Sequence, residues 1–420
     1  MVESRDMEIV VKAWGEVVAK IREKNGLNYF SLSPTNPLNF SPIKLKERGK
    51  TYEFSHLPFQ KGLPGMVSDS LPGIYGKAYL DEFFMKHFNF RPSYLETLQF
   101  LGENSMGALT YEPQLSGAKK SRVNAIFDAK ELYKETKKAL IGDADFSINE
   151  IIALSNSAAS GARPKAIVGF NRATSKMFIG TKYEALPDGF THSIVKFDNL
   201  IYRDSLHTLS ATQPYSQTKM EYIYYLLAKK VGIKISDSTL VESDGNFHFV
   251  TKRFDIAIEN DKVKRKHMHS LSGIMHHNPA ETTFDYTNLF RVSDLLNIPY
   301  EDKEQFFKTM LFNLIFSNRD DHSRNFSFLM DSRGVWRGAP AYDLTFTSNK
   351  KHQMLFNYKN GYEVTKNDIL KIAQEYAIDN ANEIIDEMLD AREYYLPQLS
   401  QEYDMLAWYK ESQRIFKHVK

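Results

Sequence analysis

The sequence predicts an α+β protein of two lobes, with a β-rich first half and a mostly helical second half. Three observations carry that expectation. Short β-type runs separated by turn residues recur over 1–60 and again over 156–255. A single strongly periodic helix interrupts the second group of runs. Beyond residue 265 apolar residues recur mainly at helical spacing.

Composition sets the outer bounds. The chain has 420 residues, enough for two or three units. Hydrophobic residues make up 42% and charged residues 25%, the balance of an ordinary globular protein. Lys and Arg number 54 against 52 Asp and Glu, a net charge of +2, which does not mark an autonomous nucleic-acid binder. With 0 Cys, disulfides, thiolate metal sites and Cys nucleophiles are excluded. The first ten residues carry acids where a signal peptide needs basic and apolar stretches. No apolar run approaches the ~18–20 residues of a membrane span. The chain therefore reads as soluble and cytoplasmic.

In order along the chain, MEIVVKAWGEVVAKI reads as a strand or hairpin, and Asn25-Gly26 is a turn signal before LNYFSL. Residues 62–76, GLPGMVSDSLPGIYG, are expected to be loop, followed by helices near Tyr79–His87 and Pro92–Leu101. Residues 1–115 form a β-rich N-terminal subdomain. DAKELYKETKKAL, residues 128–140, reads as a solvated surface helix joining two units. AIVGF, MFIG, HSIVKF and FHFVTKRF are strands, with KMEYIYYLLAKKVGI a helix among them. Strands, a helix, further strands and a connector follow the order of a kinase small lobe, and residues 116–255 are assigned to it. Residues 256–420 form the helical lobe: a strongly apolar helix at 302–317, the loop NRDDHSRN, the strand FSFLM, a second loop APAYDL, and two or three amphipathic helices after 365. The basic run Lys262–Lys266 reads as a solvated turn.

Phosphoryl transfer needs a backbone cradle for phosphates, a Lys on them, oxygen ligands for Mg²⁺ and a carboxylate beside the attacking hydroxyl. Each type occurs here. Ala159-Ser160-Gly161-Ala162-Arg163-Pro164-Lys165 is rich in small residues, so backbone N–H groups can approach an anion; a plain tight turn fits equally. Lys196 ends an apolar β run, where its charge requires a partner, and Glu221 on the next helix is the natural one. In NRDDHSRN, Asp320 and Asn325 are five apart, as are the catalytic Asp and metal-binding Asn of kinases. Asp320 is the candidate to orient or deprotonate an acceptor hydroxyl, with Asp321 one step away as its competitor. Asp343, eighteen residues beyond Asn325, is placed as a metal Asp after loop and hairpin. His322 is read as support for the loop where the cofactor would sit.

SGARPKA, HSIVKF, TKRFD, RKHMHSLSG, NRDDHSRN and AYDL, in that order, resemble the markers of HipA-like serine/threonine kinases, toxins of bacterial toxin–antitoxin pairs, and GLPGMVSDSLPGIYG resembles their N-terminal signature. The resemblance implies a protein-kinase-like fold, ATP and Mg²⁺ as cofactors, Asp320 as catalytic residue, Asn325 and Asp343 as metal ligands, and Lys196 on the ATP phosphates. It implies a hinge at Lys252, Arg253 and Phe254 whose backbone meets adenine, with Asp255 near the ribose. It also implies a protein substrate, an aminoacyl-tRNA synthetase in the best-known member, and a small DNA-binding antitoxin. Family members silence themselves by phosphorylating a Ser just before the loop Gly. Ala158 stands there, with Ser157 and Ser160 beside it, so that route is expected to be lost or shifted. Two other readings of the residues remain: a small-molecule kinase, and a catalytically weak regulatory module acting with an antitoxin on DNA.

Overall fold

The computed structural model describes residues 7–115, 125–140, 164–180, 186–198, 215–259, 262–348 and 351–416. The N-terminal sheet is built from β1 (Met7–Ala13), β2 (Glu16–Lys24), β3 (Leu27–Leu32), β4 (Thr51–Glu53) and β5 (Leu109–Glu112), in the antiparallel order β4-β3-β2-β1-β5. Trp14-Gly15 and Asn25-Gly26 close its first two hairpins, each pair with both φ angles positive, as tight turns that match the strand twist require. Between β4 and β5 lie α1 (Gly65–Ser68), α2 (Ile74–Phe88) and α3 (Tyr94–Leu101), the last begun by a Ser93–Glu96 capping box.

The expectation of loop over 62–76 is corrected here. The stretch holds α1 and the start of α2, and α1 is wholly buried. Its glycine serves close packing: a Cβ on Gly65 would stand 2.0 Å from the Gly273 carbonyl oxygen. Backbone meets backbone there, so the glycines mark contact between two segments far apart in sequence.

The second sheet comprises β6 (Ala125–Phe127), β7 (Lys165–Asn171), β8 (Lys176–Ile179), β9 (Phe190–Lys196), β10 (Ser238–Ser243) and β11 (Asn246–Lys252), in the order β10-β11-β9-β7-β8-β6. Two helices belong with it, α4 (Ala129–Leu140) and α5 (Gln217–Lys230). The helix α4 is more than a solvated connector, because Ala129, Leu132 and Thr136 are buried, the first two against the core of this sheet.

The helical lobe follows a hairpin, β12 (Ile256–Glu259) and β13 (Lys262–Arg265). It contains β14 (His267–Ser270), α6 (Leu271–Met275), α7 (Thr287–Leu295), α8 (Tyr300–Ile315), β15 (Ser327–Met330), β16 (Trp336–Gly338), α9 (Lys366–Glu375), α10 (Ala381–Glu402) and α11 (Leu406–Ser412). The strands pair as β14-β15-β16. The apolar helix expected near 302–317 is α8, with Phe306, Phe307, Met310, Leu311, Phe312, Leu314 and Ile315 all buried.

The N-terminal sheet, the apolar face of α5 and the helical lobe share one continuous core, whereas the strands of the second sheet and α4 keep their own. Polar contacts fasten the shared joint. Arg265 donates to the carbonyls of Glu103, Ser105, Gly107 and Leu109, so the basic run is not merely a solvated turn. His267 Nε2 donates to the Phe40 carbonyl at 2.9 Å. Asp69 accepts from His269 Nδ1, Ser270 N and Ser270 Oγ, each at 2.8 Å, and His269 Nε2 lies 3.0 Å from Ser41 Oγ.

Burial, reinforced by the neighbouring His269, pushes His267 down to about 3. An unfolded His takes up its proton near pH 6.5. The folded state refuses that proton until far lower pH, so its stability is intact above about 6.5 and falls as the pH drops toward 3. At pH 5 this one group, 1% exposed, costs roughly 2 kcal/mol. Urea unfolding at pH 7.5 and pH 5.0 should show the loss. His267→Gln, which keeps a donor for Phe40 and cannot ionise, should remove this share of the pH dependence and leave that of the other buried histidines, such as His276; an unchanged slope would remove His267 as one of its sources.

Candidate active site

The site is assembled from three places in the fold. β9 ends in Lys196, hydrogen-bonded into the middle of the second sheet between β7 and β11. α5 starts at a Ser216 N-cap whose Oγ accepts from Lys219 N at 3.2 Å and donates to Asp198 at 3.0 Å. Its buried face carries Met220, Ile223, Tyr224 and Leu227 at helical spacing, and Glu221 lies on that face at 5% exposure. The third part is the loop after β16, where Asp343 adopts φ 53°. That left-handed conformation is uncommon for a side-chain-bearing residue and is found where surrounding structure enforces it.

These parts converge on Lys196. Its ammonium, 7% exposed as a residue, donates to both Glu221 and Asp343. The expected Lys196–Glu221 pair is therefore present, and Asp343 joins it. Burial opposes the Lys196 charge, but Asp343 and Glu221 outweigh it and raise its pKa. Burial likewise opposes the Asp343 charge, but Lys196 and Lys165 pull that carboxyl below its ordinary range. Lys165, buried at the start of β7, stands in register opposite Lys196, and Phe197 N donates to Pro164 O across the same strands. Ala159, Ser160, Gly161, Ala162 and Arg163 lie outside the described residues.

The loop after α8 supplies the remaining candidates. Asn325 Nδ2 donates to the Asp320 carbonyl at 2.8 Å, which fixes its side chain. Its Oδ1 is buried with no hydrogen-bond partner among the described residues. A buried carbonyl oxygen left bare is costly, so such an atom marks a place where a donor or cation belongs. Asp320 keeps 47% of its side chain exposed, with His322 Nε2 at 3.9 Å from its carboxylate. Asp321 is fully buried and turned into the lobe. Of the two adjacent acids, Asp320 is the one open to an acceptor. Tyr342, next to Asp343 in the chain, ties the two loops together: its hydroxyl donates to Arg324 O at 2.6 Å and lies 2.6 Å from Ser327 Oγ.

Asp255, expected near a ribose, lines the cleft but is buried, with its carboxylate held by Arg253 Nε and Nη2 and by Gly107 N. It fastens the connector to the N-terminal module. Lys252 N and Arg253 N are engaged by Asp237 O and His192 O. The Phe254 ring faces Tyr342 at 5.6 Å. Between these parts runs a cleft lined by Ile194, Lys196, Glu221, Phe249, Phe254, Tyr342 and Asp343, walled on one side by Asp69, Leu71 and Pro72 of the N-terminal module. No local sequence pattern marks that wall, because its contacts join residues about two hundred positions apart.

Oxygen donors such as Asn325 Oδ1 and the Asp343 carboxylate suit a hard cation. Among the described residues no group of three or more His, Asp or Glu could hold a metal.

A β-sheet lobe with a Lys–Glu bridge, a connector, and a helical lobe with two polar loops make this a protein-kinase-like fold. A family model described as the HipA-like C-terminal domain matches residues 157–394, more than half of the chain. The chain belongs to the HipA-like family. Among solved structures it is similar to HipA of Shewanella oneidensis MR-1, solved with HipB and operator DNA, at TM-score 0.64 and 14% identity over 95% of this chain and 91% of that one. The proinflammatory kinase CtkA of Helicobacter pylori aligns at TM-score 0.31 and 12% identity, over 54% of this chain and 97% of that one, a likeness too low to bear on the fold. Among the described residues no helix is long and apolar enough to cross a membrane.

Removing one member of a buried ion pair strands the other charge. Glu221→Ala should cost on the order of 3 kcal/mol, read as a lower urea midpoint, and Glu221→Gln, which keeps an acceptor for Lys196, should cost less. Equal midpoints for all three proteins would show that the pair does not hold the lobe together.

Proposed function

We propose that this protein is an ATP- and Mg²⁺-dependent kinase that transfers the γ-phosphate to a Ser or Thr hydroxyl of a protein, as the toxin of a toxin–antitoxin pair. The observation that carries the reading is Lys196, buried between Glu221 and Asp343 at the head of the cleft. A buried ammonium bridged to a helix carboxylate is how kinases hold the Lys that meets ATP phosphates.

The other residues take roles from their surroundings. Asn325 and Asp343 would hold Mg²⁺, which would supply neutralisation of phosphate charge. Asp320, exposed on the loop that carries Asn325, orients the acceptor hydroxyl and receives its proton. Pro164 and Lys165 mark the edge of the phosphate loop, and Phe254 and Ile194 offer apolar surface to an adenine ring. His322 stands beside Asp320 and supports the loop. The connector fixes the angle between the lobes, with Arg253 and Asp255 as its internal clamp.

The Shewanella relative was solved with HipB and operator DNA. By analogy we assign this chain a small DNA-binding antitoxin partner, and its net charge of +2 supports DNA contact through that partner rather than alone. A protein substrate, with an aminoacyl-tRNA synthetase as one candidate, completes the proposal.

Purified protein incubated with γ-labelled ATP, Mg²⁺ and cell lysate should label a protein band. Asp320→Ala and Asp343→Ala should each lower transfer by a factor of about 10² or more while circular dichroism stays unchanged. Full transfer by Asp320→Ala would sink its assigned role. Label confined to small molecules would sink the protein-kinase reading.

A further inference from the structure

The second acid of the loop, Asp321, has no part in the chemistry proposed above, yet its carboxylate accepts three hydrogen bonds. It is 0% exposed. Its Oδ2 accepts from Tyr286 Oη and His352 Nδ1, both at 2.8 Å. Its Oδ1 accepts from Gln353 N at 2.7 Å. The Tyr286 hydroxyl in turn accepts from Asn313 Nδ2 at 3.0 Å, and Asn313 Oδ1 accepts from Asn318 Nδ2 at 2.9 Å. A continuous buried chain thus runs from the end of α8, through the start of the loop and the residue before α7, to the segment that returns from Asp343.

We infer that Asp321 is a positioning residue: through His352 and Gln353 it couples the loop bearing Asp320 and Asn325 to the segment that follows Asp343. Four further observations support this. Asp320 and Asp321 are adjacent, so fixing one carboxylate inside the lobe fixes where the other leaves it. Asn325 is bonded to the Asp320 carbonyl, so the two proposed site residues on this loop move with Asp321. Room for the coupling is built into the chain, since a Cβ on Gly361 would stand 2.2 Å from His352 Cδ2. The same segment is also fastened at Thr347, whose N–H donates to Ser317 O at 3.1 Å.

A residue that only stabilised the fold would act on stability and on all steps alike. A positioning residue acts on the step that needs alignment, and a displacement of about 1 Å at a reacting group costs roughly a hundredfold in rate. The rate consequence rests on the kinase reading; the coupling itself does not.

Removing Asp321 risks misfolding, so the test uses its partners. His352→Ala deletes the donor, His352→Asn replaces Nδ1 with an amide N–H, and Tyr286→Phe deletes only a hydroxyl. His352→Ala and Tyr286→Phe should lower kcat at least tenfold, with KM for ATP and nucleotide Kd within twofold of wild type. His352→Asn should return kcat to within threefold. Independently of activity, hydrogen exchange over 318–325 and 351–356 should accelerate together in His352→Ala and not in His352→Asn. Unchanged exchange in His352→Ala, or a His352→Asn variant as slow as His352→Ala, overturns the proposal, as does a loss of nucleotide affinity equal to the loss of kcat. A wild-type protein that transfers no phosphate would sink the kinase reading instead, and the exchange measurements would still decide the coupling.

Discussion

A buried ammonium needs counter-charge, and the architecture follows from how Lys196 obtains it. One carboxylate comes from α5, which packs on the second sheet, and the other from the loop after β16 in the helical lobe. The pairing spans the cleft, so the two lobes meet where the charges do. Removing such groups from water costs several kcal/mol apiece, and their mutual attraction offsets that loss without much surplus. The cluster is therefore weak as a source of stability and strong as a device for fixing geometry. Lys165 opposite Lys196 brings it to two charges of each sign.

The N-terminal module is fastened by different means. Its sheet and the helical lobe share an apolar core, and the polar joint lies within it. Ser41, His269 and Asp69 have the bonding order of a hydrolytic triad. Ser41 and His269 are both 0% exposed, so no substrate reaches them and the arrangement serves as a joint. Asp69 also walls the cleft, which makes the module a third side of the site. Arg265 and Asp255 extend that joint to the connector, so hinge and module are one mechanical unit.

The sequence alone showed a good part of this. Alternating apolar runs located the strands, and the 3–4 spacing of Met220, Ile223, Tyr224 and Leu227 located α5. A Lys in an apolar strand demanded a carboxylate, and Glu221 was the near choice. The five-residue step from Asp320 to Asn325, with Asp343 beyond a hairpin, marked the loops. Such features are legible because periodicity, turn chemistry and short spacings are written within a few residues of one another.

What the sequence by itself determined is the class of chemistry available and the order of its parts. Only the tertiary structure decided which of two adjacent acids faces out, because Asp320 and Asp321 look alike until Tyr286, His352 and Gln353 claim one of them. Only packing set Gly65 in buried contact with Gly273, bound Asp255 to Arg253 and Gly107, and drew Asp343 onto Lys196 across 147 positions. The physical reason is common to all four. A local pattern fixes backbone shape and the sign of a charge, but the partner that satisfies a buried group is supplied by whichever distant segment the core brings within about 3 Å.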